Sequence, residues 1–182
     1  MTTAVARIKS LSPSSMFALR FLGLLVVFSV VYPQVALVAD RAIMNALSAT
    51  AAIVQTILGL VGQDASQQGR VVTCGGFSIE IIVECIGIYE TLLLWAAILA
   101  YRSSWRARLI GLGAGAVLIY LTNVLRLCVL SIIGAYWPNF FDTAHEIVWQ
   151  ATMIICVALM WLIWIRVLVG GIGAKALAGV ST

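Results

Sequence analysis

The chain has 182 residues, of which 63% are hydrophobic and 10% charged, with a formal net charge of +4 and a mean hydropathy of +1.09. Soluble domains carry about 25% charged residues, so a soluble enzyme is excluded and a polytopic membrane protein is expected. In such a protein the positive balance does not argue for a nucleic-acid partner; what matters is where the basic residues lie along the chain. No internal repeat or low-complexity tract interrupts it, so residues 1–182 read as one integral membrane domain.

In chain order, Arg7 and Lys9 precede the first apolar run, Phe17–Val38. It has the roughly 20 residues needed to cross the hydrocarbon. Arg20, in its first turn, can extend its charge to the interface. A cleaved signal peptide is the alternative, with a loose small-residue site around Ala36–Ala39. The apolar centre is long for that role, which favours an anchor. Next comes AIMNALSATAAIVQTILGLV, residues 42–61, with Asn45, Ser48, Thr50, Gln55 and Thr56 spread through it. The stretch from Gly62 to Glu84 is polar. Within it, VVTCGGFSIEIIV holds two β-branched runs split by Gly75-Gly76, which reads as a hairpin or as a plain loop.

Three further apolar runs follow: Cys85–Tyr101, Leu109–Gly134 and Ala144–Val169. Arg102, Arg106 and Arg108 fill the loop YRSSWRAR, and Arg166 and Lys175 lie at or beyond the end of the last run. The positive-inside rule puts all three basic regions in the cytoplasm. That requires four spans, about 17–38, 85–101, 109–134 and 144–169, with both termini inside. Residues 42–84 then form an outer segment in which 42–61 is an amphipathic or re-entrant helix. The expected fold is an all-α polytopic membrane protein: a four-span helical bundle, an outer helix, and a small outward-facing loop or hairpin. GLGAG at 111–115 lies near the cytoplasmic start of a span, where small residues permit close helix packing.

Charged and reactive residues inside such a bundle need a partner or a water-filled cavity. Glu84 and Cys85 are placed at the outer end of the second span, and His145, the single histidine, at the outer end of the fourth. Arg126 is expected about 12 Å below the outer end of the third span, with Asn123 one turn away on the same face. Glu90 lies roughly 8 Å below Cys85. Thiol, guanidinium and imidazole thus converge on one outward-opening pocket.

Each residue also has a plainer role. Cys128 and Cys156 read as small buried hydrophobes, and Cys74 could form a disulfide with Cys85 on an oxidising face. Arg126 could simply lock helices together through Glu90, and His145 could merely open a helix beside Asp142. The single histidine and scattered cysteines offer no paired metal-ligand spacing, no phosphate loop is present, and no cofactor is expected.

The chemistry of the trio is nucleophilic. A thiolate is the reactive form of cysteine, and nearby cations favour it. An imidazole can protonate a leaving amine, and a fixed guanidinium can hold an oxyanion. The carboxylates Glu84 and Glu90 oppose thiolate formation unless Arg126 neutralises one of them.

The segments ECIGIYE (84–90), TNVLR (122–126) and DTAHEIVW (142–149) resemble the exosortase/archaeosortase family in order, spacing and topology, over roughly residues 70–168. That resemblance implies a membrane-embedded cysteine transpeptidase or protease. Its substrates would be exported, membrane-anchored proteins with a C-terminal sorting signal of the PEP-CTERM kind: a short motif, a transmembrane helix and a basic tail. It implies Cys85 as nucleophile, Arg126 as oxyanion or carbonyl partner, His145 as acid and base, and Asn123 as the residue that orients Arg126. Glu84, Glu90 and Tyr89 are supporting or substrate-binding candidates. The product would be a thioacyl enzyme resolved by an amine acceptor or by water. The location implied is a bacterial inner membrane, with the site facing the periplasm or exterior. The chain departs from the family pattern at Ile86, where a small residue is usual, and at Tyr89 and Glu90; Gly87 is kept. Two competing readings remain: a non-enzymatic transporter or channel subunit built on an Arg126–Glu90 ion pair, and a lipid- or anion-binding scaffold using Arg126 and the basic loop.

Overall fold

The computed structural model describes residues 12–170; Arg7, Lys9 and Lys175 lie outside them. Helix α1 (Pro13–Val38) is opened by Ser12, whose hydroxyl accepts the Ser15 N–H at 3.2 Å, and by proline at its first position. It is apolar all round and has no buried residue, the surface expected of a helix bathed in lipid. Helix α2 (Asp40–Leu60) differs: Leu47, Thr50, Ala51, Val54 and Leu58 form one buried stripe at helical spacing.

A three-stranded antiparallel sheet follows, β1 (Ala65–Gln68), β2 (Val71–Cys74) and β3 (Phe77–Glu80), in the order β1-β2-β3. The expected hairpin is present, with Cys74 opposite Phe77 across Gly75-Gly76. Both glycines have positive φ, 54° and 83°, as a two-residue turn of this twist demands. The expectation of a loop or hairpin falls one strand short. Polar β1, ASQQ, carries no β-branched signal, and it pairs with β2 around Gly69.

A 3₁₀ turn (Val83–Ile86) leads through left-handed Gly87 into α3 (Ile88–Ala100). Ser104 caps α4 (Trp105–Tyr136), and the last helical stretch, α5 (Pro138–Gly170), includes a π-helical segment at Ala144–Val148. By length and composition α1, α2, α4 and α5 can each cross a membrane. The expected span 85–101 is replaced by a turn and a helix of 13 residues, about 20 Å long against about 30 Å of hydrocarbon.

Packing sorts these helices into two layers. At one end Leu47, Ala51, Val54 and Leu58 of α2 share a core with Val72, Cys74, Ile81 and Cys85, and with Val124, Leu127 and Cys128 of α4. At the other end Leu94 and Ile98 of α3, Ala107 and Ile119 of α4, and Met153, Val157 and Trp164 of α5 form a second core. The glycines of GLGAG do the expected packing work there. A Cβ on Gly111 would strike Trp164 and one on Gly115 would strike Leu94, whereas Gly113 faces open space. Trp164 also donates its indole N–H to the Ala107 carbonyl at 2.8 Å.

Helix α4 has 32 residues, about 48 Å, which exceeds the hydrocarbon thickness. Its far end carries the sheet: Phe77 packs on Gly134, and Tyr136 donates to Gln63 at 3.0 Å. Cys85, by contrast, belongs to the core around Leu127, and Gly87 packs directly on Asn123 and Ile119. The Cys85 turn therefore sits level with Asn123–Leu127, so the expected depth offset between Cys85 and Arg126 is not there. Helix α4 runs on past the site instead of ending near it.

Candidate active site

A cavity of about 910 Å³ lies among α1, the Cys85 turn, α3, α4 and α5. Cys85, Arg126 and His145, from three separate elements, all line it, as do Glu84, Tyr89 and Glu90. Asn123 is fully buried behind the wall. Its side-chain amide donates to the Ile119 carbonyl at 3.1 Å and packs against Gly87. No hydrogen bond joins Asn123 to Arg126 among the described residues; its contact is with the turn that carries the thiol.

Cys85 is 7% exposed, so reagents reach its sulfur chiefly through the cavity. The turn is held by the Cys85 N–H donating to the Ile82 carbonyl at 2.9 Å. Helix α3 starts three residues later, beyond left-handed Gly87, rather than at the cysteine. Cys85 lies in the turn, outside the spanning helices. Burial pushes its thiol above the ordinary range; a backbone hydrogen bond at Ile82 and the Arg126 guanidinium pull it down, and Glu84 and Glu90 push it up again. The net direction is upward, so Arg126 only partly offsets the loss of water. Cys74 and Cys85 are both buried free thiols in one core, and the disulfide between them is not formed. Cys128 is buried in the same core, and half-buried Cys156 is also free.

Arg126 is half-buried, and its Nε has no hydrogen-bond partner; neither does Oε2 of Glu90. The ion pair that the alternative reading places between them is not formed; the salt bridge present among the described residues is Arg70–Glu80 at 2.6 Å, on the sheet. Two complementary buried groups facing one cavity without each other leave both free to meet a ligand.

His145 is carried by the π-helical segment, a local widening that often marks functional positions. Its ring stacks on Phe141 at 5.7 Å with 5° between the planes. Phe141 meets Phe77 of β3 at 4.8 Å, and Phe77 rests on Gly134. The sheet thus steadies the imidazole through two aromatic rings.

The cavity also includes residues that sequence reasoning passed over: Ser29 and Tyr32 of α1, and Glu146 and Gln150 of α5. Glu146 adjoins the single histidine and Gln150 follows one helical turn later, a spacing visible in DTAHEIVWQ. Tyr32, in a uniformly apolar run, carried no such signal; it meets Tyr89 edge-on at 5.5 Å. Among the described residues no group of three or more His, Cys, Asp or Glu side chains is arranged to hold a metal ion.

A thiol, a guanidinium and an imidazole on one cavity suit attack on an acyl carbon, stabilisation of the resulting oxyanion and proton transfer to a leaving group. No curated protein and no solved structure matches the chain. Residues 7–164, however, match the sequence model of the family described as transmembrane exosortase (Exosortase_EpsH). With apolar helices able to cross a bilayer and a family match over most of its length, this integral membrane protein belongs to the transmembrane exosortases, a family with a membrane transpeptidase-like role.

Proposed function

We propose that the chain is a cysteine transpeptidase or protease that cleaves the C-terminal sorting signal of membrane-anchored exported proteins. The observation that carries this reading is the shared cavity of Cys85, Arg126 and His145. The Cys85 thiolate attacks the scissile carbonyl while Arg126 holds the developing oxyanion. Collapse of the tetrahedral species breaks the C–N bond, and His145 gives its proton to the departing amine. This leaves a thioester on Cys85. An incoming amine, or water, then attacks the thioester, His145 takes up its proton, and the thiolate is released. Gly87 and Asn123 seat the turn that presents Cys85, while Glu84, Tyr89 and Glu90 border the substrate.

The shape of the cavity supports a substrate arriving within the membrane. Helices α1 and α5 meet where Phe17 stacks on Trp161 at 5.5 Å, and both line the cavity that holds Cys85. Its deeper wall is apolar: Leu25 and Phe28 of α1, Leu92 and Leu93 of α3, and Met153, Ile154 and Val157 of α5. A substrate helix lying against that wall brings the segment just above it to the thiol. In the proposed topology α1, α4 and α5 cross, the 13-residue α3 runs from the level of Cys85 to the inner face, α2 and the sheet lie outside, and both termini are in the cytoplasm. Arg20 and Arg102 share a cavity lined by residues of α1 and the α3–α4 loop, away from Cys85, consistent with the positive-inside rule. The compartment proposed is a bacterial inner membrane with the site facing the periplasm.

The test is co-expression with a reporter carrying a C-terminal motif, helix and basic tail. Cys85→Ala should abolish cleavage, a loss on the order of 10⁴-fold or more, with intact reporter accumulating in the membrane. Cys128→Ala should cleave normally. In wild type, a reporter-linked species on Cys85 should be released by neutral hydroxylamine, and in His145→Ala it should not form. Normal processing by Cys85→Ala would remove the nucleophile and with it the mechanism.

A further inference from the structure

A second cavity, of about 330 Å³, lies away from Cys85 and is unrelated to the proposed chemistry. Arg20 of α1 and Arg102 of the α3–α4 loop both line it, beside Met16, Phe17 and Tyr101. The arginines near this loop are not equivalent. Arg108 is engaged, donating to the Tyr101 carbonyl at 3.0 Å and to Ser103 at 3.3 Å, and lying over the Trp105 ring. Arg20 and Arg102 have no hydrogen-bond or ion-pair partner among the described residues. Among the described residues, two guanidinium groups without a partner therefore share one concavity.

Next to it, Trp161 stacks on Phe17 and meets Tyr101 edge-on, yet its buried indole N–H has no acceptor. The cavity and its rim thus hold donors in excess and an apolar, aromatic floor. Leu19 and Leu22, 53% and 58% exposed, continue up α1 beyond it. Aromatic side chains at one level of a bundle mark the interface between hydrocarbon and headgroups. Planar guanidinium groups match phosphate oxygens in geometry and charge.

We infer that this cavity binds the phosphate headgroup of an anionic phospholipid, clamped by Arg20 and Arg102, with the acyl chains running along α1. The volume accommodates a headgroup and not a chain, and the exposed apolar surface of α1 supplies the place for the chains. A cationic or zwitterionic headgroup gains less, because its positive group meets the two arginines.

The experiment is native mass spectrometry of the full-length protein released from detergent after incubation with equal amounts of phosphatidylglycerol and phosphatidylcholine. Wild type should retain phosphatidylglycerol preferentially. The double variant Arg20→Gln/Arg102→Gln should bind it about 30-fold more weakly, since each basic residue near an anionic lipid contributes about fivefold. Arg20→Lys/Arg102→Lys should recover part of the loss. Arg106→Gln, exposed at the start of α4 and not lining the cavity, should bind as wild type does. Both arginines are exposed, so the glutamine variant should stay folded, checked by monodispersity and circular dichroism. Equal retention of the two lipids by wild type, or undiminished phosphatidylglycerol binding by the double variant, would overturn the assignment. Displacement of the lipid by millimolar inorganic phosphate would instead identify a soluble-anion site. None of these readouts depends on cleavage activity.

Discussion

Cys85 occupies a position where burial and charge act against each other. Its thiol is pushed up by loss of water and by two carboxylates, and Arg126 is the side-chain cation that draws it back. Replacing Arg126 by Gln removes that pull, so the thiol shifts further upward and less thiolate is present at any pH below it. The alkylation rate of Cys85 plotted against pH should therefore move to higher pH in Arg126→Gln. Cleavage should fall about 10²–10³-fold, the usual effect of losing an oxyanion donor. An unmoved alkylation profile would show that Arg126 does not act on the sulfur. At Gly87 the constraint is steric: φ is 78°, and a Cβ would meet the Asn123 amide and Ile119. The left-handed backbone alone costs a non-glycine residue about 1–2 kcal/mol. Gly87→Ala should lower both the melting temperature in detergent and reporter cleavage, while Gly113→Ala, open on all sides, should change neither.

Among the elements, the sheet has a task that its small size conceals. It sits on the projecting end of α4, and Phe77 reaches through Phe141 to the imidazole of His145. His145 sits in a π-helical segment, and its stacking on Phe141 helps to hold the ring. Phe141→Ala should reduce cleavage about tenfold, in line with loss of an aromatic pair of about 1.5 kcal/mol at most. Phe141→Tyr, which keeps the ring, should retain activity. The alkylation rate of Cys85 should be the same in both. Loss of cleavage together with loss of thiol reactivity would mean a general collapse of the site instead of a displaced imidazole.

For the whole molecule, α1 and α5 both line the Cys85 cavity, and the proposed function has a membrane-anchored substrate reach the thiol between them. A photo-activatable phenylalanine analogue at Leu25 or Ile154, on the two sides of the cavity, should cross-link to the reporter helix in Cys85→Ala. The same analogue at Leu121, which is 55% exposed on α4 and does not line the cavity, should not. Cross-linking at Leu121 alone would move the entry path to another face. Helix α1 gains a role in this arrangement beyond anchoring, because Leu25, Phe28 and Tyr32 make one wall of the cavity.

What the sequence determined by itself was local in nature. Apolar runs mark membrane helices because each residue meets lipid on its own account, and paired glycines between β-branched runs mark a tight turn. A thiol, an arginine and a histidine placed in lipid-facing text stand out because burying them requires a cavity; all three line one. Register between elements was decided only by the tertiary structure. Nothing along the chain tells that α4 overshoots the site by about 16 Å, which brings Arg126 level with Cys85. Nor does it tell that Glu90 and Arg126 line one cavity without pairing, or that Tyr32 and Gln150 join the wall. Hydrophobic periodicity reports which face of a helix is buried and is silent on how far one helix slides along another. That sliding is fixed by side chains meeting across helices, such as Gly87 on Asn123 and Leu94 on Gly115.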